Sequence, residues 1–275
     1  MTLVSGNISR WNTGKVVDMS RMFDDASSFN QSINDWDTQN VRFMHGMFSR
    51  STRSKSYDFN QPLNDWNTTN VRNFGGMFAG AGAFNQPLYN WNTTNVLDMS
   101  FMFSVARAFN QSLNVWNTTN VLNMRNMFRN ADAFDQPLEG WDTKNVKDMR
   151  SMFSGAATFN KDILEWSTAA NPIAGQMFDN AGAWMVKYRR IDRGPSIDGP
   201  PNLWERYFPP LPSGLLFRGA VDDCLKESPV DRDCPGSVYG PMSGWNTSNT
   251  TDMSEAFLFQ SSFNGVVSSL FASDY

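Results

Sequence analysis

Tryptophan recurs in this chain at a fixed interval. Trp11, Trp36, Trp66, Trp91, Trp116, Trp141 and Trp166 stand 25 residues apart except for one step of 30, and Trp245 restarts the pattern later. An interval of this length marks an internal array of supersecondary units. Thr lies two positions after each of these eight Trp, from Thr13 to Thr247, and Phe lies twelve after, from Phe23 to Phe257. Whatever a single unit does, the next must do in the same way, so the fold is constrained to units that stack.

The spacing inside a unit gives its expected form. Val96, Met99, Met102, Phe103 and Ala106 fall at i, i+3, i+6, i+7 and i+10, an apolar stripe that predicts a short helix from about Val96. Thr93 or Asn95 is placed to cap its first turn, because a side-chain oxygen there accepts from the orphan amides. Phe84, Gln86 and Leu88, with Pro62, Pro87 and Pro137 in the same column, read as an extended return. The expected unit is therefore an α/β repeat, a short helix plus an extended return.

One such unit buries too few side chains to offset the entropy of ordering its own backbone, so stability must come from stacking. The kept letters are then inward or between coils: Trp36, Trp66, Trp91, Trp116 and Trp141, with Phe78, Phe103, Phe128 and Phe153. Asn30, Asn60, Asn85, Asn110 and Asn160 form one amide column, and Asn40, Asn70, Asn95, Asn120 and Asn145 another. Both are read as bonding the turn backbone of their own and neighbouring units, which spares buried polar groups an unpaired state. The Met column reads as packing rather than as a metal or redox stripe. Strand-like stacking places the coils about 4.8 Å apart.

The columns of "WNTTNVLDMSFMFSVARAFNQSL" resemble those of the BspA-like leucine-rich-repeat surface proteins, over Trp11 to about Ala183 and again over Gly240 to Phe263. The resemblance implies a right-handed leucine-rich-repeat-like solenoid, a secreted or cell-surface location, and a role in adhesion or assembly. It implies no shared catalytic residues. Thr two after Trp, often Val or Ser in that family, is a departure that leaves the assignment intact.

In the unit at Trp166 the Asn and Val columns hold Ala170 and Asn171, Pro172 follows, and Trp184 stands where the second Phe would be. The array is expected to end there, giving a solenoid over 1–183. Nine of the 13 Pro lie between Met185 and Gly244, so 184–213 reads as a Pro-rich cap and linker. In 214–275, "LLFRGAVDDCLKE" puts Leu216, Ala220, Val221, Cys224 and Leu225 on one helical face, a cap helix before a Cys loop and the first repeat of a second array. The opening "SGNISRWNTGKVVDMSRMF" matches "YGPMSGWNTSNTTDMSEAF" with no such helix before it. Two expectations follow: an excerpt of a longer polypeptide, or a tail that stacks on the open first coil of another subunit, a heterologous contact that propagates.

A net charge of -4 gives no basic field for nucleic acid. No apolar run reaches the roughly 18 to 20 residues of a membrane span, and the first ten residues contain no apolar signal-peptide core. Cys224 and Cys234 are open to a disulfide, worth about 2 to 3 kcal/mol for so short a loop, or to two free thiols. Sequons begin at Asn7, Asn30, Asn67, Asn92, Asn110, Asn117, Asn246 and Asn249. Asn30 and Asn110 fall in the amide column expected to be buried, which leaves Asn7, Asn67, Asn92, Asn117 and Asn246 as glycosylation candidates.

His45 is the only histidine and sits at a variable position. No nucleophile set, phosphate loop or metal spacing accompanies it, so no catalytic, cofactor-binding or metal residue is assigned. Arg50, Arg53 and Lys55 in an insertion, and Lys187, Arg189, Arg190 and Arg193 after the array, are possible interaction loops, with solvated charge as the default.

The expected function is that of a non-enzymatic extracellular or cell-surface structural protein, its partners copies of itself head to tail or other surface proteins. The alternative is an adhesion module that recognises a protein or glycan through the variable face.

Overall fold

The computed structural model describes residues 6–50, 58–191, 199–206, 220, 221, 223 and 224. The helix expected from Val96 is absent: each unit from Trp11 to Trp166 is a run of tight turns. The reason lies in the backbone. Phe101 and Val105 have φ of 57° and 60°, and their counterparts Asn126, Asn130, Ser151, Gln176 and Asn180 are also left-handed. A right-handed helix cannot pass through a left-handed residue every fourth position.

Hydrogen bonding follows the same alternation. The N–H groups of Met99, Phe101, Phe103 and Val105 donate to the carbonyls of Asn123, Arg125, Met127 and Arg129, one unit ahead. Between them, Met102, Ser104 and Ala106 donate three residues back within the unit, to Met99, Phe101 and Phe103. Alternate donors thus close turns and join coils, and no helix ladder is needed to satisfy them. Isolated parallel bridges link Asp18, Phe43, Asn73, Asp98, Asn123, Asp148 and Ile173 in succession.

The expected caps have other partners. Thr93 Oγ1 donates to the Asn117 carbonyl ahead, and Asn95 Nδ2 donates to the Thr69 carbonyl behind. The same Thr rung recurs at Thr13, Thr38, Thr68, Thr118 and Thr143. Trp Nε1 supplies a third rung: Trp36, Trp66, Trp91, Trp116, Trp141 and Trp166 donate to the carbonyls of Ile8, Ile33, Leu63, Leu88, Leu113 and Leu138 in the preceding units.

Asn30, Asn60, Asn85 and Asn110 accept through Oδ1 from the next unit, in each case from a backbone N–H and a Gln Nε2. These amides are not buried as expected: Asn30 is exposed and Asn110 half-buried. Their bonds run along a partly wetted edge.

Inside lie ladders of rings. Phe23, Phe48, Phe78, Phe103, Phe128, Phe153 and Phe178 stack with centroids 5.5 to 5.9 Å apart. Phe59, Phe84, Phe109, Phe134 and Phe159 form a second ladder beside it, about 4 Å from the first within each unit. The rings therefore repeat at a wider interval than the expected 4.8 Å. Trp36, Trp66, Trp91, Trp116 and Trp141, and Phe78, Phe103, Phe128 and Phe153, are all buried.

After the unit at Trp166 the run of turns gives way to other structure. A helix, α1 (Gly182–Lys187), leads into a strand, β1 (Tyr188–Arg190), which pairs with a second, β2 (Trp204–Arg206). Trp184 continues the second ring ladder on Phe159 at 6.0 Å, Tyr188 stacks on Trp184 at 4.0 Å, and Trp204 meets Phe178 edge-on at 5.3 Å. All three are buried, so this segment closes the last coil with aromatic surface.

The chain divides into compact units Met1–Glu205 and Arg206–Tyr275, a division that falls within the segment 184–213 read as cap and linker. In the second, Ala220, Val221, Asp223 and Cys224 are helical, and Ala220, Val221 and Cys224 are buried.

Candidate interaction surfaces

The coil at Trp11 is open on the side away from Trp36. In the units from Trp36 to Trp166 Trp is only 2 to 4% exposed, whereas Trp11 is 52% exposed; Met22 is 40% exposed where Met47 and Met102 are fully buried. The backbone carries the same asymmetry. The carbonyls of Phe43, His45, Met47 and Ser49 accept from Met19, Arg21, Phe23 and Asp25 behind them. Their counterparts in the first coil, at Asp18, Ser20, Met22 and Asp24, accept no hydrogen bond among the described residues.

Among the described residues Trp11 Nε1 finds no carbonyl of the kind that its column elsewhere bonds. A cavity of about 560 Å³ lies here, lined by Trp11, Val16, Met19 and Met22. This surface offers acceptors and apolar rings to a coil that brings N–H donors. One letter departs from the pattern: Lys15 stands where Asn40, Asn70 and Asn95 reach back to the preceding unit.

A second surface follows the left-handed column. There the backbone is left-handed at Phe101, Asn126, Ser151 and Gln176, and a groove of about 610 Å³ opens along units at Trp91 to Trp166. Arg125, Arg129 and Arg150 line it, with Phe101 at one end and Asp179 at the other. The Arg125 guanidinium lies 5.8 Å over the Phe101 ring.

Arg150 is held by Asp148, through Nε at 3.0 Å and Nη2 at 2.6 Å. Burial works to raise the Asp148 carboxyl, but hydrogen bonds from the Arg150 side chain and N–H, with the charges of Arg150 and Arg125, outweigh it and hold the group below its ordinary value. Beyond Phe101 a cavity of about 500 Å³ is lined by Arg21, His45, Ser49 and Asp98. The His45 side chain makes no hydrogen bond to a serine or carboxylate among the described residues. Among those residues no cluster of His, Cys, Asp and Glu could hold a metal ion, and no helix is long and apolar enough to cross a membrane.

Among the described residues, those singled out in sequence line no common pocket. Asn7, Asn67, Asn92 and Asn117 are exposed; each accepts through Oδ1 from the N–H two residues on, at Ser9, Thr69, Thr94 and Thr119. Asn246, Cys234, Arg53, Lys55 and Arg193 lie outside the described residues. Cys224 is disulfide-bonded.

The basic segment after the array is largely committed to the fold: Lys187 Nζ donates to the Asn160 carbonyl at 2.9 Å, and Arg189 pairs with Glu205 at 3.0 Å. Arg190 is also partnered, and Arg50 is half-buried. Sequence reasoning passed over Arg125, Arg129 and Arg150. They are 21 to 25 residues apart in two cases and look like single solvated charges until stacking brings them together.

A family model described as "Mycoplasma protein of unknown function, DUF285" matches residues 1–116, 54–132, 88–190 and 235–273. No curated protein and no solved structure matches.

Proposed function

We propose a function from the premise that this chain belongs to the family described as Mycoplasma protein of unknown function, DUF285: it is a non-catalytic structural protein of the cell surface. Its units form a right-handed leucine-rich-repeat-like solenoid of the BspA-like kind, extended end to end through the open face of the coil at Trp11. The observation that carries this reading is the contrast between Trp11, 52% exposed, and the same residue type at 2 to 4% in the described coils from Trp36 to Trp166. An uncovered repeat surface demands a cap or a further coil.

The other end of this array is covered by Trp184, Tyr188 and Trp204, so the joining surface on the array is the coil at Trp11. The complementary surface is a coil that presents forward N–H donors, and the unit at Trp245 has the letters to supply one. Contact between unlike ends is heterologous and propagates. Sedimentation velocity over a concentration series tests it, with electron microscopy of the same samples. Elongated species that grow with concentration are expected, and Trp11→Asp with Met22→Lys abolishes them. A compact, concentration-independent monomer overturns the reading.

A second reading, recognition of a protein or glycan through the variable face, is favoured by one observation: three arginines share a groove on a chain of net charge -4.

A further inference from the structure

Asn126, 5% exposed, lines the groove along the left-handed column. Among the described residues its side-chain amide bonds no protein group, and its polar atoms stay open to the groove rather than sealed in the core. A ligand hydroxyl or carbonyl there takes the place of water.

The groove's charge is fixed as well. Arg125 and Arg129 have no ion pair among the described residues. Arg150 is fastened to Asp148 by Nε and Nη2, which leaves its Nη1 edge preorganised. One carboxylate in the lining, Asp179, faces these three cations. Phe101, 38% exposed and backed by Arg125, offers the end of the groove an aromatic face.

Resting on the recognition reading, we propose that this groove binds a linear anionic oligosaccharide along the array. Arg125, Arg129 and Arg150 grip its carboxylate or sulfate groups, the Asn126 amide bonds a hydroxyl, and a sugar ring lies on Phe101. Guanidinium geometry matches both oxyanions. An acidic peptide suits the site less well. Extended peptides gain affinity by adding to a free backbone edge, but here the N–H groups of Phe101, Asn126 and Ser151 are already bonded to the next coil. Recognition must go through side chains, and the groove's amide and aromatic groups match a sugar's hydroxyls and ring faces.

Glycan-array or calorimetric titration of the full chain tests it with four probes: heparin for sulfate, hyaluronan for carboxylate, neutral dextran, and poly-glutamate. At least one anionic glycan is expected to bind, with dextran silent and poly-glutamate at least tenfold weaker. Preference for heparin or for hyaluronan identifies the oxyanion. The pair Arg125→Ala with Arg129→Ala should weaken that binding more than tenfold, and Phe101→Ala severalfold.

Arg107→Ala, an exposed cation outside the groove paired with Asp132, should leave it unchanged. Equal weakening by Arg107→Ala would mean diffuse charge attraction and overturn the proposal, as would poly-glutamate binding as tightly as either glycan, or no glycan binding at all. Thermal melting confirms that the variants fold. Sedimentation of the same variants separates the outcomes, because loss of glycan binding with intact assembly leaves end-to-end stacking untouched.

Discussion

At Val105 a β-branched side chain occupies a left-handed backbone, φ 60°. Left-handed conformation costs an L-residue roughly 1 to 2 kcal/mol, and β-branching makes it worse. The same column holds Asn130 and Asn180 in left-handed conformation, and Gly80, residue types that bear it more easily. Val105→Asn should therefore raise stability by about 1 kcal/mol, read as a higher urea midpoint with an unchanged slope. A lower midpoint would mean that Val105 contributes packing that exceeds its strain.

Asp148 gives a second test at this scale. Its folded pKa lies below its unfolded one because Arg150 binds the charged form. A lowered pKa contributes stability that is fully present above the ordinary Asp value of about 3.9 and is lost as pH falls through the folded value. Asp148→Asn keeps the side-chain oxygen that Asn73 and Asn123 use in the same column but removes the charge. The gap in urea midpoint between native chain and variant should be widest near neutral pH and close in acid. A gap independent of pH would assign the effect to shape.

At the scale of one unit, the rungs between coils divide the work among side chains. Thr93 carries its hydroxyl to the Asn117 carbonyl at 2.9 Å, and Val at this position keeps the shape without the donor. Thr93→Val should cost about 1 kcal/mol, the usual worth of such a bond, measured by denaturant unfolding.

The fixed columns of Trp, Thr, Phe and Asn are legible as stacking contacts from the interval alone, because nothing but a neighbouring coil asks every unit for the same letter. The backbone form was not legible. Met99, Met102, Phe103 and Ala106 are buried, and a chain of turns with a left-handed residue every fourth position presents the same face as a helix of period 3.6. The discriminating signal lay in the letters that change: Gly76, Gly80, Asn126, Asn130 and Asn180 cluster where φ is positive. The arginine groove was hidden for a different reason, since its members meet only across coils.

Whole-array stability should behave as a sum over neighbours rather than as one indivisible core. Removing residues 92–116 joins Trp91 to Asn117, so every rung finds an equivalent partner: Thr118 still follows a Trp by two, and Phe128 can take the place of Phe103 on Phe78. Removing 92–104 deletes fewer residues but brings unlike letters into each column and leaves ring ladders facing backbone. If stability rests on register, the 25-residue deletion folds cooperatively with a smaller denaturant slope, since less surface is exposed on unfolding. The 13-residue deletion then fails to give a cooperative transition. Circular dichroism and urea titration of both chains decide the matter; a shorter deletion tolerated as well as the longer one would show that the units fold without regard to their neighbours.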